Sequence, residues 1–308
     1  MPFHCPGLRW RGGTISTMAI PDRITSQREI SARREAVVST YAESWIGMIR
    51  AWRVPRGDDA VWLMYAANYL FNTRGLKWAV DPVLLSNRVP EAHVPDAGQD
   101  LSDLDFVLLT HAHIDHADVG LWGQLRESCC HWIVPEHMVA FFTDRASMGG
   151  SRYSVAVPGR KITVEGACII PFASPHYERS ATGKTSGVDS TGYLVATDNG
   201  GSYLFPGDVR TYDSGCLELL AEVSAVFAHV FLGRSSALEP SPPLLAAFID
   251  FFLSCRPEKI ILSHLYELGR EPEDCWLNSH ARAVARAFTE ADSDVAVAIP
   301  EWYREMIL

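Results

Sequence analysis

The sequence predicts one α/β domain in which strands come first as hairpins and then alternate with helices. Short apolar runs bounded by turn residues, Val61–Tyr65, Tyr69–Phe71 and Lys77–Val80, cluster early in the chain, the pattern of strands joined by tight turns. Beyond residue 104, similar runs alternate with stretches in which apolar residues recur at helical spacing. With 308 residues, 47% of them hydrophobic, the chain is long enough for a large core. No linker-like segment divides it.

Residues 1–20 read as a disordered lead, because Arg9 and Arg11 are not followed by the continuous apolar stretch of a signal peptide. A helix is expected over 24–50, where Ile30, Ala36, Val37, Tyr41, Trp45 and Ile49 recur at helical spacing. Pro55 and Gly57 end it. Residues 21–57 are therefore a helical extension ahead of a domain over 58–308. Asn72–Gly75 reads as the turn between the second and third strands, and 86–103 as loop. Leu104–Leu109 reads as a buried strand, Val119–Arg126 as a helix, Trp132–Val134 as a strand and Glu136–Arg145 as a helix. After a loop at 146–160, Lys161–Val164 and Ala167–Ile170 read as paired strands, and 177–191 as a polar loop. Gly192–Thr197 and Ser202–Phe205 flank Asp198-Asn199-Gly200-Gly201, a strong hairpin signal. The remainder reads as helix Leu217–Val223, strand Ala225–Phe231, helix Leu244–Ser254, strand Lys259–Leu262, helix Pro272–Glu290 and strand Val295–Ile299.

The formal net charge of −10 gives no general attraction for phosphate backbones, so nucleic acid is not an expected partner. Residues 1–60 run against this trend, with nine Arg against six acidic residues, which reads as a basic helix surface. Seven cysteines lie scattered without a C-x-x-C pair, as in reduced thiols of a cytoplasmic protein. No apolar run reaches the roughly 18 residues of a membrane span.

The chemistry is concentrated in Thr110-His111-Ala112-His113-Ile114-Asp115-His116, directly after the Leu104–Leu109 strand. Three imidazoles and one carboxylate within six residues serve no evident packing purpose, but they are the donors that divalent transition metals prefer. Further ligands must come from elsewhere. His176, Asp208 and His264 each follow an apolar run by one to a few residues, where loops gather at strand ends. Asp208 follows Pro206-Gly207, which suits a tight turn aiming a carboxylate. His4, His93, His131, His137 and His229 take structural readings. His280, on the last long helix, could approach the site. Gly183-Lys184-Thr185 is not a phosphate loop, because the earlier glycine such a loop needs is replaced by Glu178.

In order along the chain, Asp81, the H-x-H-x-D-H loop 111–116, His176, Asp208 and His264 resemble the five motifs of the metallo-β-lactamase superfamily. Spacings of 60, 32 and 56 residues onward from His116 suit it. The resemblance covers about 58–300. It implies a four-layer αβ/βα sandwich of two facing mixed sheets with helices outside. It also implies that His111, His113 and His176 hold one divalent ion, that Asp115, His116 and His264 hold a second, and that Asp208 bridges them. Asp81 would orient a ligand histidine. Zinc suits the nitrogen-rich set best, with manganese or iron as alternatives. The implied activity is a hydrolase that activates a water between two metals, with Asp115 and Asp208 as its catalytic carboxylates. His113 argues against the flavin-linked di-iron branch, which has Glu there. Residues 104–119 and 192–208 are most similar to the branch containing L-ascorbate-6-phosphate lactonase, a match that bears on subfamily and not on substrate. A small-molecule lactone or ester is the leading expectation. A phosphodiesterase, a mononuclear iron dioxygenase and a non-catalytic scaffold are the rivals. Candidate substrate contacts are Tyr177, Tyr193, Arg210, Tyr212 and Tyr266. Arg179 and Lys184 read as surface charge. The extension could also form a homo-oligomer contact.

Overall fold

The computed structural model describes residues 23–308 except 149, 180–184, 199, 214–216, 218–221 and 233–243. The expected disordered lead, Lys184, and most of the expected Leu217–Val223 helix lie outside the described residues.

Helix α1 (Arg23–Arg53) covers the helix expected over 24–50. Its buried stripe of Ile30, Val37, Tyr41, Trp45, Ile49 and Trp52 faces the domain, and Arg50 and Arg53 in its last turn suit the negative end of the helix dipole. Trp52 Nε1 donates to the Phe71 carbonyl at 2.7 Å, and Trp45 Nε1 to Asp100 at 2.6 Å. The helix is thus anchored by indole donors as well as by apolar contact.

Sheet A is built from β1 (Asp59–Leu63), β2 (Tyr69–Thr73), β3 (Leu76–Val80), β4 (Phe106–Leu108), β5 (His131–Pro135), β6 (Tyr153–Ala156) and β16 (Glu305–Ile307), in the order β16-β1-β2-β3-β4-β5-β6. Sheet B is built from β7 (Ile162–Val164), β8 (Ala167–Ala173), β11 (Thr191–Thr197), β12 (Ser202–Phe205), β13 (Ala225–His229), β14 (Lys259–Ser263) and β15 (Ala296–Ala298), in the order β15-β14-β13-β12-β11-β8-β7. Helices α3 (Val119–Gln124) and α4 (Val139–Ala146) pack outside sheet A, where Trp122 and Phe142 meet Trp132 of β5. Helices α5 (Leu244–Leu253) and α6 (Asn278–Ala291) pack together, with α6 against β14 and β15 of sheet B. Two seven-stranded mixed sheets with helices outside are the expected sandwich.

Aromatic rings fill the space between the sheets. Phe71 and Trp78, cross-strand partners in β2 and β3, stack at 3.8 Å, and Phe71 meets Phe205 and Phe227 of sheet B edge-on at 5.6 and 5.4 Å. Offset and edge-to-face contacts of this kind add to what burial alone supplies. The β2–β3 turn is the expected one. Arg74 and Gly75 both have positive φ, 51° and 100°, the primed geometry that matches strand twist.

Several expectations need correction. The 146–160 loop contains β6, whose half-exposed Tyr153 and Ser154 hide the alternation expected of a strand. The polar loop 177–191 contains a two-stranded ribbon, β9 (Glu178–Arg179) with β10 (Thr185–Ser186). Strand β16 is short and partly polar, and only its pairing along β1 makes it a strand. The expected Pro272–Glu290 helix is broken into a 3₁₀ turn at Pro272–Asp274 followed by α6. Cys275 and Leu277 are extended, and the Trp276 carbonyl between them accepts from Tyr266 N at 2.8 Å. The backbone there serves the loop after β14 instead of continuing a helix.

Phe71 touches partners from both sheets and is fully buried. Phe71→Ala is expected to destabilise the fold by about 3–5 kcal/mol, measured by denaturant titration. A loss below 1 kcal/mol would show that the inter-sheet stack is not the packing centre.

Candidate metal centre

Six strand ends meet at one edge of the sandwich. β3 runs into Asp81, β4 into the histidine loop, β8 into His176, β12 into Asp208 and β14 into His264, while β13 ends on His229. β3 and β4 are parallel, as are β12, β13 and β14. β8 shares the direction of β12 because both pair antiparallel with β11. All six therefore deliver their C-terminal ends, where α/β sheets characteristically gather functional side chains.

Asp81 holds the histidine loop in place. Its buried carboxylate accepts from Thr110 N at 2.7 Å, from the Thr110 hydroxyl, and pairs with His116 Nδ1 at 2.8 Å. Its backbone has a φ of +45°, a conformation that a non-glycine residue keeps only when its surroundings demand it. Asn68 Nδ2 donates to the carbonyls of both Asp81 and Asp115 at 2.7 Å. The loop then winds through a turn in which His116 N and Ala117 N both donate to the His113 carbonyl at 2.9 Å. His264 is strained in the same way, at φ +67°, and its N–H donates to the Ala66 carbonyl in the turn between β1 and β2 at 2.6 Å. Gly187 solves a different problem. Its φ is +121°, and a Cβ there would lie 2.5 Å from the His176 carbonyl. Without one, the chain passes closely enough for Val188 N to donate to His176 Nδ1 at 3.3 Å, leaving Nε2 to face the centre.

The predicted ligands come together in two groups that share Asp208: His111, His113, His176 and Asp208, and Asp115, His116, Asp208 and His264. Within each group the candidate ligand atoms all lie within 4.8 Å of one another. Asp208 Oδ2 lies 3.3 Å from His264 Nε2, 3.4 Å from His116 Nε2 and 3.8 Å from His111 Nε2. The buried atoms Asp115 Oδ2, His116 Nε2, His176 Nε2 and His264 Nε2 have no hydrogen-bond partner among the described residues. Buried polar atoms are rarely left this way in a folded protein. Their convergence is what a pair of divalent cations would satisfy, so the residues fit the implied group.

The two groups differ in charge. Burial, reinforced by His116, holds the His111 imidazole well below its usual value, and burial lowers His176 to about 4. Those ligands are neutral near pH 7. Burial also acts against the His116 and His264 imidazoliums, but the Asp208 and Asp115 carboxylates reverse it, raising His116 well above its usual range and His264 to about 10. Correspondingly, burial disfavours the Asp115 and Asp208 carboxylates, and His116 and His264 more than offset it.

Sequence reasoning missed His229. Its Nδ1 lies 2.7 Å from Asp208 Oδ1, and the ring is buried, so it fixes the carboxylate oxygen that does not face His264. The available signal was position: His229 ends β13, which runs parallel beside β12, the strand that leads to Asp208. Glu267 was missed as well. It is buried, with Oε2 3.9 Å from His264 Nε2. His280, expected as a possible neighbour, instead caps α6, its Nδ1 accepting from Leu277 N at 3.0 Å.

The candidate substrate contacts divide. Tyr193 is wholly buried, and its hydroxyl donates to the Leu109 carbonyl at 2.6 Å, making it a tie between the sheets. Tyr212 donates to the Val209 and Phe231 carbonyls and packs on α5. Tyr266 is buried against α1, its hydroxyl bonded to Glu29. These three expectations are corrected, since each hydroxyl is already engaged in the framework. Tyr177 is exposed and donates to Asp189 at 2.8 Å. Arg210 lies over Phe231, 4.8 Å from the ring centroid, and its charge is felt by His113 and His176. The Arg179 side chain is outside the described residues.

A sequence profile described as "Beta-lactamase superfamily domain" matches residues 78–265. Among solved structures, the chain is similar to a possible metal-dependent hydrolase from Veillonella parvula DSM 2008, with 16% identity, a TM-score of 0.59, and coverage of 82% of this chain and 99% of that one. It is similar to Igni18, a metallo hydrolase from Ignicoccus hospitalis KIN4/I, with 16% identity, a TM-score of 0.57, and coverage of 81% and 98%. It is also similar to CmlA, a diiron β-hydroxylase from Streptomyces venezuelae, with 17% identity, a TM-score of 0.56, and coverage of 82% of this chain but 55% of that one. A search of curated proteins returned no match. Among the described residues no helix is long and apolar enough to cross a membrane.

Two outcomes are expected. Metal ligation requires neutral imidazoles, so filling the His116–His264 group near pH 7 should release roughly two protons, while the His111–His176 group should release almost none. Calorimetric titrations in buffers of different ionisation enthalpy would measure this, and the affinity of the second ion should rise with pH. His229→Ala should weaken metal binding by about 10- to 100-fold, read by competition with a chromogenic chelator. Unchanged affinity would reduce His229 to a packing residue.

Proposed function

Because the chain belongs to the beta-lactamase superfamily, we propose that it is a metal-dependent hydrolase acting on a lactone or ester. The observation that carries this reading is the pair of ligand groups sharing Asp208. His111, His113 and His176 would hold one ion, Asp115, His116 and His264 the other, and Asp208 both. Two divalent ions held there would supply Lewis acidity and would lower the pKa of a bound water toward neutrality.

The protein's own contribution is positional. His229 holds one Asp208 oxygen, leaving the other toward both groups. Asp81 takes His116 Nδ1, which commits Nε2 of that ring to the centre. Thr110 orients His111 through Nδ1 at 3.0 Å. Burial of almost every ligand excludes competing water, and a pre-set polar environment does not need to reorganise as charge develops. The nitrogen-rich donor set favours zinc, with manganese or iron as the alternatives. Residues 104–119 and 192–208 resemble the ascorbate-6-phosphate lactonase branch, which makes lactones and esters the first substrates to test beside phosphodiesters.

Elemental analysis of the purified protein should find about two divalent ions per chain, the number set by two ligand groups. A panel of lactones and esters, run beside bis-p-nitrophenyl phosphate, then tests the substrate class. Turnover of the phosphodiester alone would replace the lactonase reading with a phosphodiesterase. A protein that binds one iron and consumes oxygen would replace hydrolysis altogether. Asp208→Ala should abolish turnover while the fold stays largely intact, read by circular dichroism. Near-normal rate with both ions retained would remove Asp208 from the mechanism.

A further inference from the structure

The turn between β1 and β2, residues 64–68, touches the metal centre without supplying a ligand. It closes on itself, with Met64 N donating to the Asn68 carbonyl at 2.7 Å. Asn68 is wholly buried. Its amide nitrogen serves two segments at once, donating to the Asp81 carbonyl after β3 and to the Asp115 carbonyl in the histidine loop, both at 2.7 Å. Its Oδ1 accepts from Ala67 N at 3.4 Å. Two residues earlier, the Ala66 carbonyl takes His264 N at 2.6 Å.

Tyr69, the first residue of β2, extends the pattern to sheet B. Its buried hydroxyl is bonded to the hydroxyl of Ser263, directly before His264, and its ring stacks on His229 at 6.0 Å and 30°. Residues 66–69 therefore reach every member of the second ligand group through one intermediary or none. Asp115 and His264 are held by their own peptide groups, His116 through Asp81, and Asp208 through His229. Two of these contacts fall on strained backbone. Asp81 and His264 have φ of +45° and +67°, and such conformations persist only where the surroundings hold them.

The first ligand group is framed from elsewhere. Thr110 Oγ1 lies 3.0 Å from His111 Nδ1, and Val188 N donates to His176 Nδ1 at 3.3 Å. Among the described residues no hydrogen bond runs from 64–69 to His111, His113 or His176. The route from Asn68 to His111 needs both Asp81 and Thr110.

We propose that Asn68 and Tyr69 are positioning residues for the second ion alone, so that the β1–β2 turn sets the geometry of the Asp115, His116, Asp208 and His264 group. Without the Asn68 amide, two buried carbonyls lose a donor and the ligand segments lose their common tie. The two halves of the centre are then built by different parts of the chain, and the one-ion and two-ion states part at this turn. The inference rests on the two-ion part of the hydrolase reading and does not need turnover.

The test titrates zinc alone into the metal-free full chain in competition with a chromogenic chelator. In a His113→Ala background only the second group is complete, and there Asn68→Ala should weaken zinc binding about tenfold or more. In an Asp115→Ala background only the first group is complete, and there the same change should cost less than about twofold. Tyr69→Phe keeps the ring and removes only the hydroxyl. It should show the same contrast at about fivefold, the worth of one net hydrogen bond, and it carries the test where Asn68→Ala does not fold. Equal losses in the two backgrounds would overturn the inference, because a general loosening of the packing weakens both groups alike. So would unchanged affinity in both. A parent chain that holds two zinc ions yet turns over no lactone, ester or phosphodiester would remove the hydrolase reading and leave this inference standing. A parent chain that takes up no zinc would sink both.

Discussion

The Asp208 carboxylate governs the architecture of the site. A carboxylate with 4% of its surface exposed keeps its charge only among donors and cations. Here one oxygen is taken by His229 and the other is ringed by His111, His116 and His264. Those four histidines come from three separate places in the chain, so satisfying one acid requires both sheets to be in register at their ends. The turn that presents it depends on Gly207, whose φ of +74° is a backbone conformation that side-chain-bearing residues rarely adopt. Asp81 plays the matching part in sheet A, where three donors to one carboxylate set the path of the histidine loop. Charge pairing and sheet alignment are here a single requirement.

The candidate ligands were legible in the sequence because metal donors are rare residue types placed at an informative location. His and Asp directly after apolar runs stand out against a background in which such runs end in Gly, Pro or Asn. The strands and most helices were legible for a related reason, since burial imposes a period on the apolar residues that propensity alone does not. What failed to show were features set by neighbours distant in sequence. His229 gave no local sign, because its role follows from lying beside Asp208 in a parallel pair of strands. Glu267 reads in sequence as one more acid in a charged loop, and only the fold buries it against Arg88 and Arg270. Tyr193, Tyr212 and Tyr266 failed in the opposite direction. Closeness in sequence to a ligand suggested a pocket wall, but a tyrosine next to a ligand strand can equally turn into the core and spend its hydroxyl on a carbonyl or carboxylate.

The extension α1 is tied to the site more closely than its sequence suggests. Glu29 takes the Tyr266 hydroxyl, Arg33 lies over the rings of both Tyr266 and Trp302, and Arg23 pairs with Glu271 and Glu273. Apart from Trp302, these contacts fall on the loop that starts at His264 and carries Glu267 and Arg270. That loop has two non-glycine residues in left-handed conformations, His264 and Tyr266, and strain of this kind persists only where surrounding structure holds it. The helix supplies part of that hold, together with the Trp276 carbonyl on Tyr266 N and the Tyr65 hydroxyl on Leu268 N. A segment outside the match to the superfamily profile thus supports one rim of the centre.

Strand β16 carries a consequence for how the chain acquires its structure. It covers the outer edge of β1, and Arg56 beside that strand pairs with Glu305 across 249 residues of sequence. While the polypeptide is being made, β1 therefore waits with one row of amides and carbonyls unpaired until nearly the whole domain has been synthesised. An uncovered edge of apolar residues such as Val61 and Leu63 is a template for another chain, and closure over so long a loop is slow relative to local helix formation. Biosynthesis of this protein thus includes an interval of exposure to self-association, which ends when residues 305–307 dock and the sheet acquires its last strand.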